Sequence, residues 1–116
     1  MAKLLEICVD SLVSARAAIR GGADRLELCS ALLAGGLTPY EGLLRQIRTE
    51  SGIPIRCLMR PRAGDFLYTP EEIDLMAQQI RSLNVAGADG FVSKLSYIQD
   101  VMPILERHLQ GETTHE

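Results

Sequence analysis

A short motif containing glycine, alanine and aspartate occurs twice in the sequence, each time where a helical pattern gives way to a buried strand. Gly22-Ala23-Asp24 leads into Arg25-Leu26-Glu27-Leu28-Cys29, and Gly87-Ala88-Asp89 leads into Gly90-Phe91-Val92. A repeat of this kind is typical of a chain built from alternating strands and helices. Because a helix between two strands excludes a hairpin, the sequence predicts parallel strands joined by right-handed crossovers.

Hydrophobic periodicity and helix start signals predict four strands and three helices in the order βαβαβαβ. Asp10-Ser11 is expected to cap the first helix, which Gly21-Gly22 ends. Thr38-Pro39-Tyr40-Glu41 and Thr69-Pro70-Glu71-Glu72 both have the pattern of a capping box with proline at the first helical position. They predict the starts of the second and third helices. This order of elements fits either an open doubly wound sheet or a (β/α)₈ barrel.

Composition narrows the class of protein and its partners. The chain has 116 residues, 47% of them hydrophobic, and a net charge of −3, which suits one soluble domain and excludes a strongly basic nucleic-acid surface. An acidic residue as early as Glu6 argues against a signal peptide, and no stretch approaches the ~20 apolar residues of a membrane span. We therefore expect a cytoplasmic protein without nucleic-acid or membrane partners, whose three cysteines remain thiols.

Polar and apolar residues alternate along the first three strands, so each strand has one mixed face. The polar residues on that face are Glu6, Cys8 and Asp10, then Arg25, Glu27 and Cys29, then Arg56, Arg60 and Arg62. Parallel strands buried on both sides are normally apolar throughout, so the pattern favours a barrel whose mixed face points inward. Cys57 falls on the opposite face and is expected in the core.

Four segments together resemble the CutC family of copper homeostasis proteins, which form (β/α)₈ barrels. They are residues 5–11, 21–30, 35–39 and 60–68. The resemblance covers residues 4–92 and implies a cytosolic protein of copper homeostasis that is not primarily an enzyme. Family members have roughly twice this length, in keeping with the ~250 residues of a complete barrel.

These lengths lead us to expect a partial barrel over residues 1–92, with the first four parallel strands and three intervening helices. Residues 93–116 match none of the family pattern, and we interpret them as a divergent tail that is first helical and then disordered. The chain would then be a shortened product of the family. Four strands alone leave two sheet edges unpaired, so we expect reduced stability or self-association into a homo-oligomer.

Two cysteines are the candidate metal ligands. Cys8 and Cys29 share a face near the carboxyl ends of adjacent strands, and about 5 Å would separate their backbones if the register aligns them. Thiolates favour Cu(I) and also suit Zn²⁺, and copper is the metal that the family resemblance implies. The alternative is that both are ordinary small buried residues. His108 and His115 lie in the tail and are not proposed as ligands.

A second set of charged residues suggests a different function. Glu6, Glu27, Arg60, Arg62 and Asp65 are expected at the barrel mouth, where buried charges must pair or bind a charged ligand. They predict either an internal salt-bridge network or a site for a small anionic substrate, with a glutamate as general acid or base and arginines holding the anion. The alternatives to a copper protein are therefore a barrel enzyme acting through Glu6, Glu27 and Arg60, and an inactive shortened variant.

Overall fold

A computed structural model describes residues 3–93, which form one parallel sheet with three α-helices and a short 3₁₀ helix at Leu32–Ala34. The strands are β1 (Glu6–Val9), β2 (Arg25–Leu28), β3 (Ile55–Leu58) and β4 (Gly90–Val92), and the helices are α1 (Leu12–Arg20), α2 (Glu41–Glu50) and α3 (Pro70–Ala86). The strand order is β1-β2-β3-β4, and every neighbouring pair is parallel. The predicted α/β fold, four parallel strands with three intervening helices, is confirmed. The predicted tail helix lies outside the described residues.

The hydrophobic core lies between the sheet and the helices. Alternate strand residues and one side of each helix join in a single buried cluster, whose members include Val9, Ala15, Leu26, Leu28, Leu44, Ile47, Ile55, Cys57, Met76, Ile80 and Leu83. Cys57 is completely buried, as predicted from its position in the alternation. The opposite face of the sheet is therefore the one left for polar side chains.

Two of the three predicted helix caps are confirmed. Ser11 caps α1 by accepting from the Ser14 N–H at 3.0 Å. Thr69 caps α3 in a full capping box: its Oγ1 accepts from the Glu72 N–H at 3.1 Å, and Glu72 Oε1 accepts from the Thr69 N–H at 2.9 Å. Each cap satisfies backbone N–H groups that have no partner inside the helix.

The predicted cap at Thr38 is wrong. Helix α2 begins at Glu41, and its N-cap residue Tyr40 makes no side-chain capping bond. Thr38 instead pairs with the chain just after β3, because its Oγ1 accepts from the Arg60 N–H at 2.8 Å and its own N–H donates to the Arg60 carbonyl at 3.0 Å. The same Thr-Pro-x-Glu pattern thus has two different structures in one chain.

The repeated Gly-Ala-Asp motif fixes where two strands start. Gly22 and Gly87 have φ values of +97° and +116°, which a residue with a side chain rarely adopts. The following aspartates each pair twice with a neighbouring strand: the Asp24 N–H donates to Leu5 O at 2.8 Å, and Asp24 Oδ2 accepts from the Leu5 N–H at 2.8 Å. Asp89 makes the same two contacts with Ile55, both at 2.8 Å. The motif therefore sets strand register.

Candidate functional site

Polar side chains form a row on the sheet face opposite the core. Cys8 lies opposite Glu27 and Glu27 opposite Arg56, so the row crosses β1, β2 and β3 and ends beside Gly90 of β4. Side chains at equivalent positions of neighbouring strands point to the same face. The mixed faces predicted from the sequence therefore meet on one surface, which we call the inner face.

Glu6 is the centre of an ion-pair network on the inner face. Its Oε2 lies 2.5 Å from Arg25 Nε and 3.6 Å from Arg56 Nη1. All three side chains are about one quarter to one third exposed, so water screens these charges only in part. The predicted salt-bridge network thus exists with Arg25 and Arg56 as the partners of Glu6, not with Arg60 or Arg62.

Glu27 differs from Glu6 in its surroundings. It is half-buried and lies between Cys8 and Arg56 in the row. Within residues 3–93 its carboxylate makes no ion pair or hydrogen bond to another side chain. Proton transfer and ligand binding are the chemistry that a carboxylate without a side-chain partner can supply.

Arg60 binds the backbone of two loops. Its Nη1 donates to the carbonyls of Ala34 and Gly36 at 3.0 and 3.1 Å, and its Nη2 donates to the Gly64 carbonyl at 3.3 Å. The guanidinium also lies over the Phe66 ring, 5.2 Å from its centroid. Through these contacts Arg60 connects the loop after β2 to the loop after β3 in this structure, while its buried Nε makes no hydrogen bond to the described residues.

Arg62 and Asp65 order the loop that they belong to. The Arg62 guanidinium pairs with Glu72, donates to the Leu67 carbonyl at 3.0 Å and lies 3.2 Å from Asp65 Oδ1. Asp65 Oδ1 also accepts from the Leu67 N–H at 3.1 Å. The hydrogen bond from Arg62 lowers the pKa of Glu72, and its cap to Thr69 lowers it further. These residues stand apart from the row on the inner face.

The two candidate cysteines share the inner face but are offset along it. Val9 pairs with Leu28, and the Cys29 N–H extends this ladder by donating to the Val9 carbonyl at 3.0 Å. Cys8 therefore lies opposite Glu27, which precedes Cys29 by two residues. The observed register differs by two residues from the one that would place the cysteines side by side. The contacts between Asp24 and Leu5, at the start of the two strands, set this register.

Exposure also separates the two cysteines. Cys8 is exposed, whereas Cys29 is only 1% exposed and its thiol donates to the Val9 carbonyl at 3.6 Å. The loop of residues 30–37, which we call the cover loop, closes over Cys29. A Cβ atom placed on Gly36, whose φ is +90°, would lie 2.9 Å from Leu58 Cδ2 and 3.8 Å from Cys29 Sγ. Only glycine allows this close approach.

Sequence reasoning considered Gly35-Gly36 as backbone amides for a phosphate or as ordinary turn residues, and did not predict the packing of Gly36 against Cys29. The one signal for it is the pair of adjacent glycines at 35 and 36, which is more often ordinary turn chemistry. Within residues 3–93 no three His, Cys, Asp or Glu side chains come together with the geometry of a metal site. Cys8 and Cys29 therefore remain a candidate pair without a third ligand residue in this part of the chain, and His108 and His115 lie outside the described residues.

A groove on the outer side of the sheet is separate from these residues. It has a volume of about 450 Å³ and runs between α2 and α3, where Tyr40, Leu75 and Gln79 line it. None of the predicted site residues contributes to its wall.

In the described part of the chain no helix combines the length and the apolar character that crossing a bilayer requires.

Comparisons with known proteins agree on one family. The CutC family model matches residues 3–104. The copper homeostasis protein cutC homolog of Homo sapiens is 52% identical over 89 residues, which are 77% of this chain and 33% of that protein. The family protein CutC of Agrobacterium fabrum is 48% identical, over 77% of this chain and 35% of its own length. This chain thus spans about a third of the length of these curated relatives.

The fold leads to the same family. The crystal structure of CutC from Streptococcus agalactiae superposes with a TM-score of 0.78 at 25% identity, and it covers 95% of this chain and 56% of that one. The sequence match runs past residue 92, so it includes the first part of the segment interpreted as a divergent tail. On the family model, the identities and the shared fold together, this chain belongs to the CutC family.

Proposed function

We propose that this chain acts in copper homeostasis in the cytoplasm and binds Cu(I) through Cys8 and Cys29. The observation that supports the proposal is the position of two thiols on the same face of adjacent parallel strands, both near the carboxyl ends. Barrels of this type keep their functional residues at that end. Relatives named as copper homeostasis proteins share about half of their aligned residues with this chain.

The chemistry of the two residues suits a monovalent copper ion. Thiolate sulfur is a soft ligand that favours Cu(I), and also Zn²⁺, over harder ions such as Mg²⁺ and Ca²⁺. Cys57, the third cysteine, is a poor ligand because burial in the core raises the pKa of its thiol to about 12 and the thiolate is the form that binds metals. Because the cover loop buries Cys29, this loop must move before Cys29 can share an ion with Cys8.

A competition titration with Cu(I) and a chromophoric chelator, performed on the whole chain without oxygen, tests the ligands. We expect Cys8→Ser and Cys29→Ser each to weaken Cu(I) binding at least tenfold, about 1.4 kcal/mol, because each removes one of two sulfur ligands. Cys57→Ser is the matched control and should bind like the parent chain. Equal affinity in the parent and in both inner-face variants would refute the proposal.

The second candidate function is an enzyme acting on a small anionic substrate. The observation that favours it is Glu27, whose half-buried carboxylate has no side-chain partner within residues 3–93 and lies beside Arg56. Glu27 would act as the general acid or base. Glu6 is already paired and Arg60 already holds two loops, so they would position the site, in contrast to the contacts with substrate expected from the sequence.

Phosphate binding followed by NMR separates the two functions. Binding that persists in the Cys8→Ser/Cys29→Ser double variant, disappears in Arg56→Ala, which removes the cation beside Glu27, and weakens in Arg60→Ala would support the enzyme. A parent chain that binds Cu(I) and shows no phosphate-dependent shifts would contradict it. A chain that binds neither ligand would correspond to the inactive variant.

A further inference from the structure

The cover loop is built as a closed unit over the inner face. Its ends pair with each other, because the Ser30 N–H donates to Leu37 O at 2.8 Å and the Leu37 N–H donates to Ser30 O at 2.7 Å. Between them, Gly36 packs directly on Leu58 and the Cys29 side chain. Reagents in solution therefore reach Cys8 directly but reach Cys29 only after this loop moves.

Arg60 makes most of the side-chain contacts that hold the cover loop in place, and Asp10 adds one, because its Oδ2 accepts from the Leu32 N–H at 3.3 Å. Through its side chain, Arg60 donates to two carbonyls of the loop, those of Ala34 and Gly36. Its backbone makes two hydrogen bonds with Thr38, the residue that follows the loop: the Arg60 N–H donates to Thr38 Oγ1, and the Arg60 carbonyl accepts from the Thr38 N–H. The other end of the guanidinium is fixed by Gly64 and by the ring of Phe66. One side chain thus connects the cover loop to a second loop and, through it, to the end of β3.

We infer that Arg60 is a positioning residue that keeps the cover loop closed over Cys29, so that Cys29 reacts with metal ions or thiol reagents only when the loop opens. As far as it concerns copper, this inference rests on the proposed function. It assigns the two cysteines different roles: Cys8 is the site of first contact, and Cys29 is the gated second ligand. Access to Cys29 then depends on the contacts of Arg60.

An arginine suits this role better than a lysine. The planar guanidinium has donors on separate nitrogens, which reach carbonyls of two loops at once while the flat face stacks on an aromatic ring. A lysine ammonium concentrates its donors at one point. Lysine would keep the positive charge but lose either the cover loop or Gly64, so it is a graded variant for the experiment.

The test measures alkylation of Cys29 by N-ethylmaleimide in the whole chain carrying Cys8→Ser. Mass spectrometry of peptides then resolves labelling of Cys29 from labelling of Cys57, which stays buried in the core and reports whether the protein remains folded. Adding Arg60→Ala should raise the rate at Cys29 by about tenfold, because loss of these bonds makes local opening less costly. Arg60→Lys should fall between the two.

Arg62→Ala is the matched control. It removes an arginine of the same loop whose contacts are with its own loop and Glu72, so the rate at Cys29 should stay close to that of the parent. Gly36→Ala is a second variant with Arg60 intact. It should also accelerate labelling of Cys29, because the added Cβ pushes the loop away from Leu58.

Three results would overturn the inference. They are an unchanged rate at Cys29 in Arg60→Ala, an equal acceleration in Arg62→Ala, and parallel labelling of Cys57 in Arg60→Ala and Gly36→Ala, which would assign both residues to global stability. The assay contains no copper. If Cys29 responds as expected while Cu(I) affinity proves independent of the cysteines, the positioning role of Arg60 stands and the copper proposal fails.

Discussion

At the scale of single residues, the three cysteines show how position decides chemistry. Cys8 is exposed on the inner face, Cys29 lies under the cover loop, and Cys57 is completely buried in the core. Burial raises the pKa of Cys57 from 9.0 to about 12, because a thiolate in the apolar core would lose its hydration. One residue type thus supplies an accessible thiol, a gated thiol and an inert core side chain.

The raised pKa of Cys57 predicts a loss of stability in alkali. The unfolded chain releases this proton near its ordinary pKa of 9.0, and the folded chain holds it until about 12. The free energy of unfolding should therefore fall as the pH rises through this interval, by about 2 kcal/mol at about pH 10.5. Urea unfolding at about pH 8 and pH 10.5 measures it, and Cys57→Ala should show a smaller fall. Equal falls in both proteins would contradict the assignment.

At the scale of elements, identical helix start signals have different outcomes. Thr69 closes a capping box on α3, whereas Thr38 uses its hydroxyl on the Arg60 N–H and leaves α2 without a side-chain cap. The difference arises because residue 38 lies beside the end of β3, where a backbone N–H requires an acceptor. Competition from a neighbouring strand therefore outweighs a local capping preference.

Replacing the residue that caps α3 should lower the free energy of unfolding by the amount typical of an N-cap substitution. Thr69→Ala leaves the Glu72 N–H without its acceptor and should lower the free energy of unfolding by about 1 kcal/mol. Thr69→Ser keeps the hydroxyl and should remain near the parent value. Chemical denaturation of the two variants is the measurement, and equal losses in both would show that the methyl group, not the cap, stabilises the helix start.

At the scale of the whole molecule, Arg48 joins parts of the chain that are far apart in sequence. It extends from the last turn of α2, and its donors reach Ile53 O at 2.8 Å, Gly87 O at 2.9 Å and Asp89 Oδ2 at 2.7 Å. These acceptors precede β3 and β4. Together with the Asp89 contact to Ile55, Arg48 holds the amino-terminal ends of these two strands, opposite the end that carries the candidate site.

Removing this connection should destabilise the protein far more than removing a surface pair. Arg48→Ala leaves partly buried carbonyls without donors and should lower the free energy of unfolding by about 2 kcal/mol. Arg45→Ala is the matched control on the same helix, because Arg45 pairs only with exposed Glu41 within residues 3–93, and it should cost less than about 0.5 kcal/mol. Urea denaturation distinguishes the two, and similar losses would argue against the tertiary role of Arg48.

Self-association is the second expectation at this scale. β1 and β4 are the outer strands of the described sheet, and a sheet edge is a template for pairing with another chain. Leu4 and Leu5, just before β1, are about half exposed. We expect light scattering to give a mass above 12.7 kDa that rises with concentration. A monomer with a cooperative melt at every concentration would contradict this.

Much of the fold was predictable from sequence because it follows from local rules. The alternation of polar and apolar residues assigned Cys57 to the core and Glu6, Glu27 and Cys8 to the inner face, since a strand turns each side chain to the opposite side of its neighbour. The caps at Ser11 and Thr69 were also predictable from local sequence, because their partners lie three residues away along the chain. The repeated glycine and aspartate motif marked the strand starts.

Tertiary structure alone decided the register and the choice of partners. Whether Cys8 lies beside Cys29 or Glu27 depends on which residue before β1 hydrogen-bonds to Asp24. The pattern of residues within one strand carries no information about that contact. Arg60 looked like a ligand-binding residue, but the carbonyls that it binds arrive from loops 24 to 26 residues before it and 4 residues after it. Side-chain direction is a local property of the backbone, whereas partners are set by how distant segments meet.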